Sequence, residues 1–208
     1  GGAPFPSAKD AAAGADMLVL MVVNADQAEA VLFEAGALDA LAPNAIVVLC
    51  ATCAPARAAA IGAKVEATQR RFVDAPVSGG VVGAEAGSLT IMASGPATVL
   101  DAAEPVLKVM GSRLFRVGGK AGDGAMVKTI NQLLCGVHIA AAAEALALGE
   151  RAGLDTNVLL EIYGSSAAGS WMLNNRGPRM LMDDPPVTSA VDIFVKDLGI
   201  VLDAGHQT

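Results

Sequence analysis

The hydrophobic pattern of the chain changes period along its length. Met17 to Val23 (MLVLMVV) is an unbroken run of seven apolar residues between the helix-like KDAAAGA and the polar NADQ, which predicts a strand buried on both faces. QAEAVLFEAGALDAL follows with helical spacing, Ala45 to Cys50 (AIVVLC) is a second short apolar run ending at Ala51-Thr52, and Pro55 opens a helix running to about Gln69. RFVDAPV predicts a third strand. Strand, helix, strand, helix in this order predicts a parallel sheet covered by helices. Ser88 to Ser94 adds a β-like run, Pro96 to Met110 a helix and Arg113 to Val117 a short last strand, after which Gly118, Gly119, Gly122 and Gly124 cluster. The domain boundary falls there, giving an α/β domain over 1–118 and a helical one over 119–208.

Beyond the glycines every segment has helical spacing. Asp123 caps a helix that meets no Pro before about Ala152 and stops at Gly153. Some 30 residues at about 1.5 Å each make it roughly 45 Å long, enough to connect domains or subunits. Asp155 starts another helix ending near Gly164, SSAAG is a small-residue loop, and Ser170 caps SWMLNNR. Pro185-Pro186 ends a loop before a last helix from Ser189 to about Asp203.

Charge and cysteine content narrow the partners. Asp and Glu number 21 against 14 Lys and Arg, and no basic cluster stands out, so a nucleic-acid backbone is disfavoured as ligand. The longest apolar stretch, Leu133 to Leu148, contains His138 and Glu144 and falls short of the roughly 18 uninterrupted residues of a membrane span. No basic-then-apolar leader opens the chain. Three cysteines cannot all pair with one another, so a reducing, cytoplasmic compartment is expected.

In a doubly wound sheet, ligands bind outside the carboxyl ends of the strands. Three loops there carry small or hydroxylated residues: Val23-Asn24, Ala51-Thr52 and Ser78-Gly79-Gly80. A serine followed by two glycines lets backbone N–H groups approach and donate to a carboxylate or phosphate, although the same residues also suit a structural turn. SGGVVG imitates a dinucleotide fingerprint but lies too late in the sheet to be one. Lys128 falls in the first turns of the long helix, with Asn131 and Gln132 at i+3 and i+4 on its face. A lysine near the positive end of a helix and partly desolvated has its ammonium form disfavoured, which suits proton transfer. Exposed lysines are commoner, and spacing alone leaves both readings open. Cys50-Ala-Thr-Cys53 lacks the second ligand pair that a metal site needs, so buried strand-end cysteines and no metal are expected. His138, flanked by apolar residues, reads as an interior histidine; Trp171 reads as a core plug or a pocket wall.

Taken together, DAPVSGG (Asp74 to Gly80), GDGAMVKTIN (Gly122 to Asn131) and FVKDLGI (Phe194 to Ile200) resemble the β-hydroxyacid dehydrogenase family, which includes 3-hydroxyisobutyrate dehydrogenase and tartronate semialdehyde reductase. Three motifs in order over nearly the whole chain are far more specific than one. The resemblance implies an α/β fold with a Rossmann-type doubly wound sheet that binds NAD, with NADP open, followed by an all-helical domain that takes part in forming a homodimer or homotetramer. It implies that Ser78, Gly79 and Gly80 hold the carboxylate of a small hydroxy acid. It places the family's lysine on Lys128, exchanging a proton with the substrate oxygen while hydride moves to or from the nicotinamide. Thr52 and Lys196 become cofactor contacts, and Val22-Val23 stand where the family has Leu-Pro, a departure at a backbone contact. Asn131 and Gln132 stand where many members have two asparagines, and the longer amide implies a different substrate shape. KTINQLLCGVHIAAAAEALALG, SSAAGSWMLNNR and SAVDIFVKDLGIVLD look most like the branch that oxidises the C2 hydroxyl of a four-carbon sugar acid with NAD. Three-carbon or branched hydroxy acids, and a non-catalytic dimerisation module, are the alternatives.

A dinucleotide domain of this kind is expected to open with a strand, a GxGxxG turn, a helix and a second strand. The chain starts instead at Gly1-Gly2, and its first segment resembling the family is SAKDAAAGA. The first βαβ unit and further C-terminal helices are therefore expected to lie outside the 208 residues, and with them the ribose-reading residue that separates NAD from NADP.

Overall fold

The structure, a computed structural model, describes residues 2–186 and 190–207. They form two compact units, one of residues 1–129 with 203–208 and one of residues 130–202. The first unit runs α1 (Ala8–Ala12), β1 (Met17–Leu20), α2 (Ala25–Glu29) continuing into a π-turn (Ala30–Glu34), α3 (Ala37–Ala40), β2 (Ile46–Leu49), α4 (Pro55–Glu66), β3 (Arg71–Asp74), β4 (Val77–Ser78), α5 (Gly80–Glu85), β5 (Thr90–Ser94), α6 (Ala97–Met110) and β6 (Arg113–Gly118). α7 (Asp123–Arg151) follows, and then α8 (Thr156–Ser165), α9 (Trp171–Met180) and α10 (Val191–Gln207).

Local chemistry sets many of these ends. Asn24 accepts the Gln27 N–H to cap α2, Pro55 occupies the first turn of α4, and Ser170 accepts the Leu173 N–H to cap α9. The expected continuous helix after β1 is broken at Gly36, whose φ of 71° an L side chain rarely adopts. The start expected at Ser189 for the last helix lies outside the described residues.

The sheet is mixed rather than parallel. β1, β2 and β3 pair parallel, but β5 is antiparallel to β3 and β4, and β6 is parallel to β5. The expected strand RFVDAPV is split at Ala75-Pro76 into β3 and β4, and only the short α5 separates β4 from β5. A parallel crossover needs a dozen or more residues with a full helix, so the chain turns back instead.

β2 is buried on both faces. Val47 and Leu49 join Leu32, Ile61 and Phe72 in one core, while Ile46 and Val48 join Val73, Ile91 and Leu107 in the other. β1 is shorter than the seven-residue run, and among the described residues it pairs with β2 and has only Leu20 fully buried.

In the second unit α7 and α10 cross closely at Gly136, where a Cβ would lie 2.8 Å from Leu198 Cδ2. His138 is exposed, not interior as its apolar neighbours suggested. Trp171 is 59% exposed and plugs no core. By length and composition alone α7 is long and apolar enough to cross a membrane, with an 18-residue window of mean hydropathy 1.5, 28% of it buried, a test that the core helix of a soluble protein also passes.

Candidate active site

The start of α7 is fastened to the carboxyl edge of the sheet. Asp74 ends β3 opposite Ser94, the last residue of β5. Asp74 Oδ2 accepts N–H bonds from Gly122 at 3.0 Å and Ala125 at 2.8 Å, and the Ser94 hydroxyl donates to it at 3.4 Å. Ser94 Oγ in turn accepts the Gly124 N–H at 2.9 Å. Three amides at the helix start, which have no intrahelical partner, are thereby satisfied. Gly124 permits the approach, since a Cβ there would lie 2.5 Å from the Met92 carbonyl oxygen. Asp74 is wholly buried, its Oδ1 has no hydrogen-bond partner, and burial, outweighing the hydrogen bonds it accepts, raises its pKa to about 6. Lys128 lies one turn beyond Gly124 and is 6% exposed.

The loops after the strands hold the other residues expected in the first unit. Val22 and Val23 follow β1, and the Val23 N–H is taken up by Gln27 Oε1 at 2.9 Å. Thr52 follows β2, the strand next to β1. Met21 and Val23 are each 52% exposed, so this part of the edge offers apolar surface beside the Thr52 hydroxyl. That donor set fits the ring and ribose of a dinucleotide rather than its phosphates.

Ser78 ends β4 opposite Thr90, and Gly79 and Gly80 turn the chain with φ of 136° and 62°. A Cβ on Gly80 would meet nothing within 4 Å, so the backbone is open to an approaching group. One on Gly79 would press on Leu89 Cδ2 at 3.1 Å. Gly79→Ala is expected to cost about 1–3 kcal/mol through the strained φ, read as a lowered Tm. An unchanged Tm means that the turn relaxes freely. The helix α5 that Gly80 begins was read in the sequence as loop.

The second unit holds Asn131, Gln132 and Lys196. Asn131 Oδ1 lies 3.7 Å from Cys135 Sγ, which donates to it. Gln132 Nε2 donates to Asp197 Oδ2 at 2.6 Å, and Lys196 Nζ lies 2.9 Å from Asp197 Oδ1. Asp74, Ser94 and Asp197 were not singled out in the sequence. Their only signals were a carboxylate ending an apolar run, in Asp74, and the residue beside Lys196, in Asp197.

Cys50 and Cys53 are buried, and burial pushes the Cys50 thiol up to about 12. Among the described residues no cluster of His, Cys, Asp or Glu is placed to hold a metal ion.

Comparison with known proteins agrees with this geometry. Residues 1–119 match the NAD binding domain of 6-phosphogluconate dehydrogenase, and residues 122–208 the NAD-binding domain of NADP-dependent 3-hydroxyisobutyrate dehydrogenase. The chain is 47% identical to L-threonate dehydrogenase of Cupriavidus necator, aligning over all of its own length and 70% of the relative's. It is 44% identical to L-threonate dehydrogenase of Escherichia coli K12 over 90% of the chain and 63% of that protein. It thus spans about two thirds of these relatives' length. A crystal structure of 3-hydroxyisobutyrate dehydrogenase from Salmonella typhimurium superposes with a TM-score of 0.92 at 43% identity, over 97% of this chain and 70% of that one. Fold and matches together define an NAD(P)-binding oxidoreductase with a Rossmann-like sheet domain and a helical domain. The chain belongs to the β-hydroxyacid dehydrogenase family.

Proposed function

We propose that the protein oxidises the C2 hydroxyl of L-threonate with NAD(P), acting as a cytoplasmic homodimer or homotetramer. The observation that carries the reading is Lys128, buried one turn into a helix whose start is clamped to the edge of an NAD-binding sheet. In this reading Lys128, as the neutral amine, accepts the C2-hydroxyl proton at Nζ. NAD(P), when bound, supplies the acceptor of the C2 hydride. The Ser78 hydroxyl and the Gly79 and Gly80 amides hold the carboxylate, and Asn131 and Gln132 pair with the remaining hydroxyls. Val22, Val23, Thr52 and Lys196 hold the cofactor. Exposed Ile130, Leu133, Leu134 and Val137 on α7 support self-association, and a count of three cysteines, which cannot all pair with one another, supports a reducing compartment.

The Salmonella relative's name favours a second reading, oxidation of 3-hydroxyisobutyrate. A panel of L-threonate, 3-hydroxyisobutyrate and tartronate semialdehyde with NAD(H) and NADP(H), followed by NADH or NADPH absorbance, separates the two. L-Threonate is expected to give the highest kcat/KM. A higher value for 3-hydroxyisobutyrate transfers the assignment, and no turnover of any removes it.

A further inference from the structure

Gln132 and Asp197 form a buried pair within the helical unit. Gln132 on α7 is 7% exposed, and Asp197 on α10 is 2% exposed. The Gln132 Nε2 to Asp197 Oδ2 bond, at 2.6 Å, is short for a nitrogen donor. The close α7–α10 crossing at Gly136, one turn further along, brings the glutamine within reach of that carboxylate. Asp197 Oδ1 lies 2.9 Å from the Lys196 ammonium in an ion pair that lacks the angle of a hydrogen bond.

An amide has a donor end and an acceptor end, whereas a carboxylate paired to an ammonium only accepts. Asp197 therefore decides which way round the Gln132 amide sits: its NH2 turns toward α10 and its Oε1 turns away. We propose that Asp197 is a positioning residue that fixes this polarity, and that the fixed acceptor makes the enzyme select hydroxy acids carrying a hydroxyl donor beyond the one oxidised at C2. The inference rests on the proposed reading, in which Gln132 meets the substrate. A substrate hydroxyl donates to Oε1. A methyl or methylene in its place desolvates Oε1 without pairing it, the asymmetry by which polar sites reject deoxy analogues. 3-Hydroxyisobutyrate, whose single hydroxyl is the reacting one, has no donor to offer.

The test compares kcat/KM for L-threonate, 2,3-dihydroxybutanoate and 2,4-dihydroxybutanoate, which all keep the C2 hydroxyl, in the unmodified enzyme, Asp197→Asn and Gln132→Met at saturating cofactor. The unmodified enzyme is expected to prefer L-threonate over one of the two deoxy acids by about 10². Asp197→Asn frees the amide to turn, and the preference is expected to shrink at least about tenfold. Gln132→Met keeps the length without the amide and should lose it too. Each preference is a ratio within one preparation, so a loss of folded protein cancels. Equal use of the three acids by the unmodified enzyme, or a preference in Asp197→Asn within about twofold of the original, overturns the inference while leaving the proposed function standing. Failure of the unmodified enzyme to oxidise any of them overturns both.

Discussion

Lys128→Ala is expected to lower kcat for L-threonate by about 10² to 10⁴, the usual contribution of a positioned general acid or base. Cofactor affinity, read by NADH fluorescence, should hardly change, because the residues assigned to the cofactor are Val22, Val23, Thr52 and Lys196. Lys128 is 6% exposed, so little water reaches it to act in its place. The C2 hydroxyl must give its proton to some group as hydride leaves C2, and among the residues assigned to the substrate only Lys128 is a base. Lys128→Met keeps the apolar stem while removing the amine. It separates proton transfer from packing, since loss through packing alone would spare this variant. Turnover of Lys128→Met within about tenfold of the original overturns the assignment.

Much of this arrangement is legible in the sequence because it is local. The apolar runs around Met17, Ala45 and Arg71 give three adjacent strands whose carboxyl ends place Val22, Val23 and Thr52 on one edge. The unbroken helical spacing and the stop at Gly153 give the long helix, and with it Lys128 near a helix start. Asp123, expected to cap that helix, is instead its first residue, and the amides of its first turn are capped by Asp74 and Ser94. Strand direction in the second half of the sheet was not legible, because it depends on how little chain lies between Ser78 and Thr90, and α5 hides in a glycine-rich stretch read as a loop. The clamp on α7 joins residues 20 to 51 positions apart, and the Gln132–Asp197 bond spans 65. No periodicity reports a pairing of that range. His138 shows the converse error, since Val137 beside it on α7 is itself exposed.

Asp74 tests whether the clamp matters. In Asp74→Ala the buried N–H groups of Gly122 and Ala125 lose their acceptor, at about 1–3 kcal/mol for each group left unpaired. The start of α7 should loosen, and kcat should fall with Lys128 itself untouched. Asp74→Asn keeps an oxygen in place of Oδ2 and puts the amide nitrogen at the unpartnered Oδ1 position. It is expected to hold the helix and to change the response to pH instead. Burial raises the Asp74 pKa from an ordinary 3.8 to about 6, with Asp123 adding repulsion in the same direction and Cys50 close enough to feel its charge. A carboxyl raised on folding binds its proton more tightly in the native state. Its contribution to stability is therefore complete below about pH 4 and is lost as the pH rises through about 6. The rise corresponds to at most about 3 kcal/mol. Urea denaturation between pH 4 and pH 8 should show that decline in the unmodified protein and a flatter course in Asp74→Asn. Parallel curves would mean that Asp74 does not change its protonation over this range. The clamp would then be held by a carboxylate throughout, and Asp74→Ala alone would measure its worth.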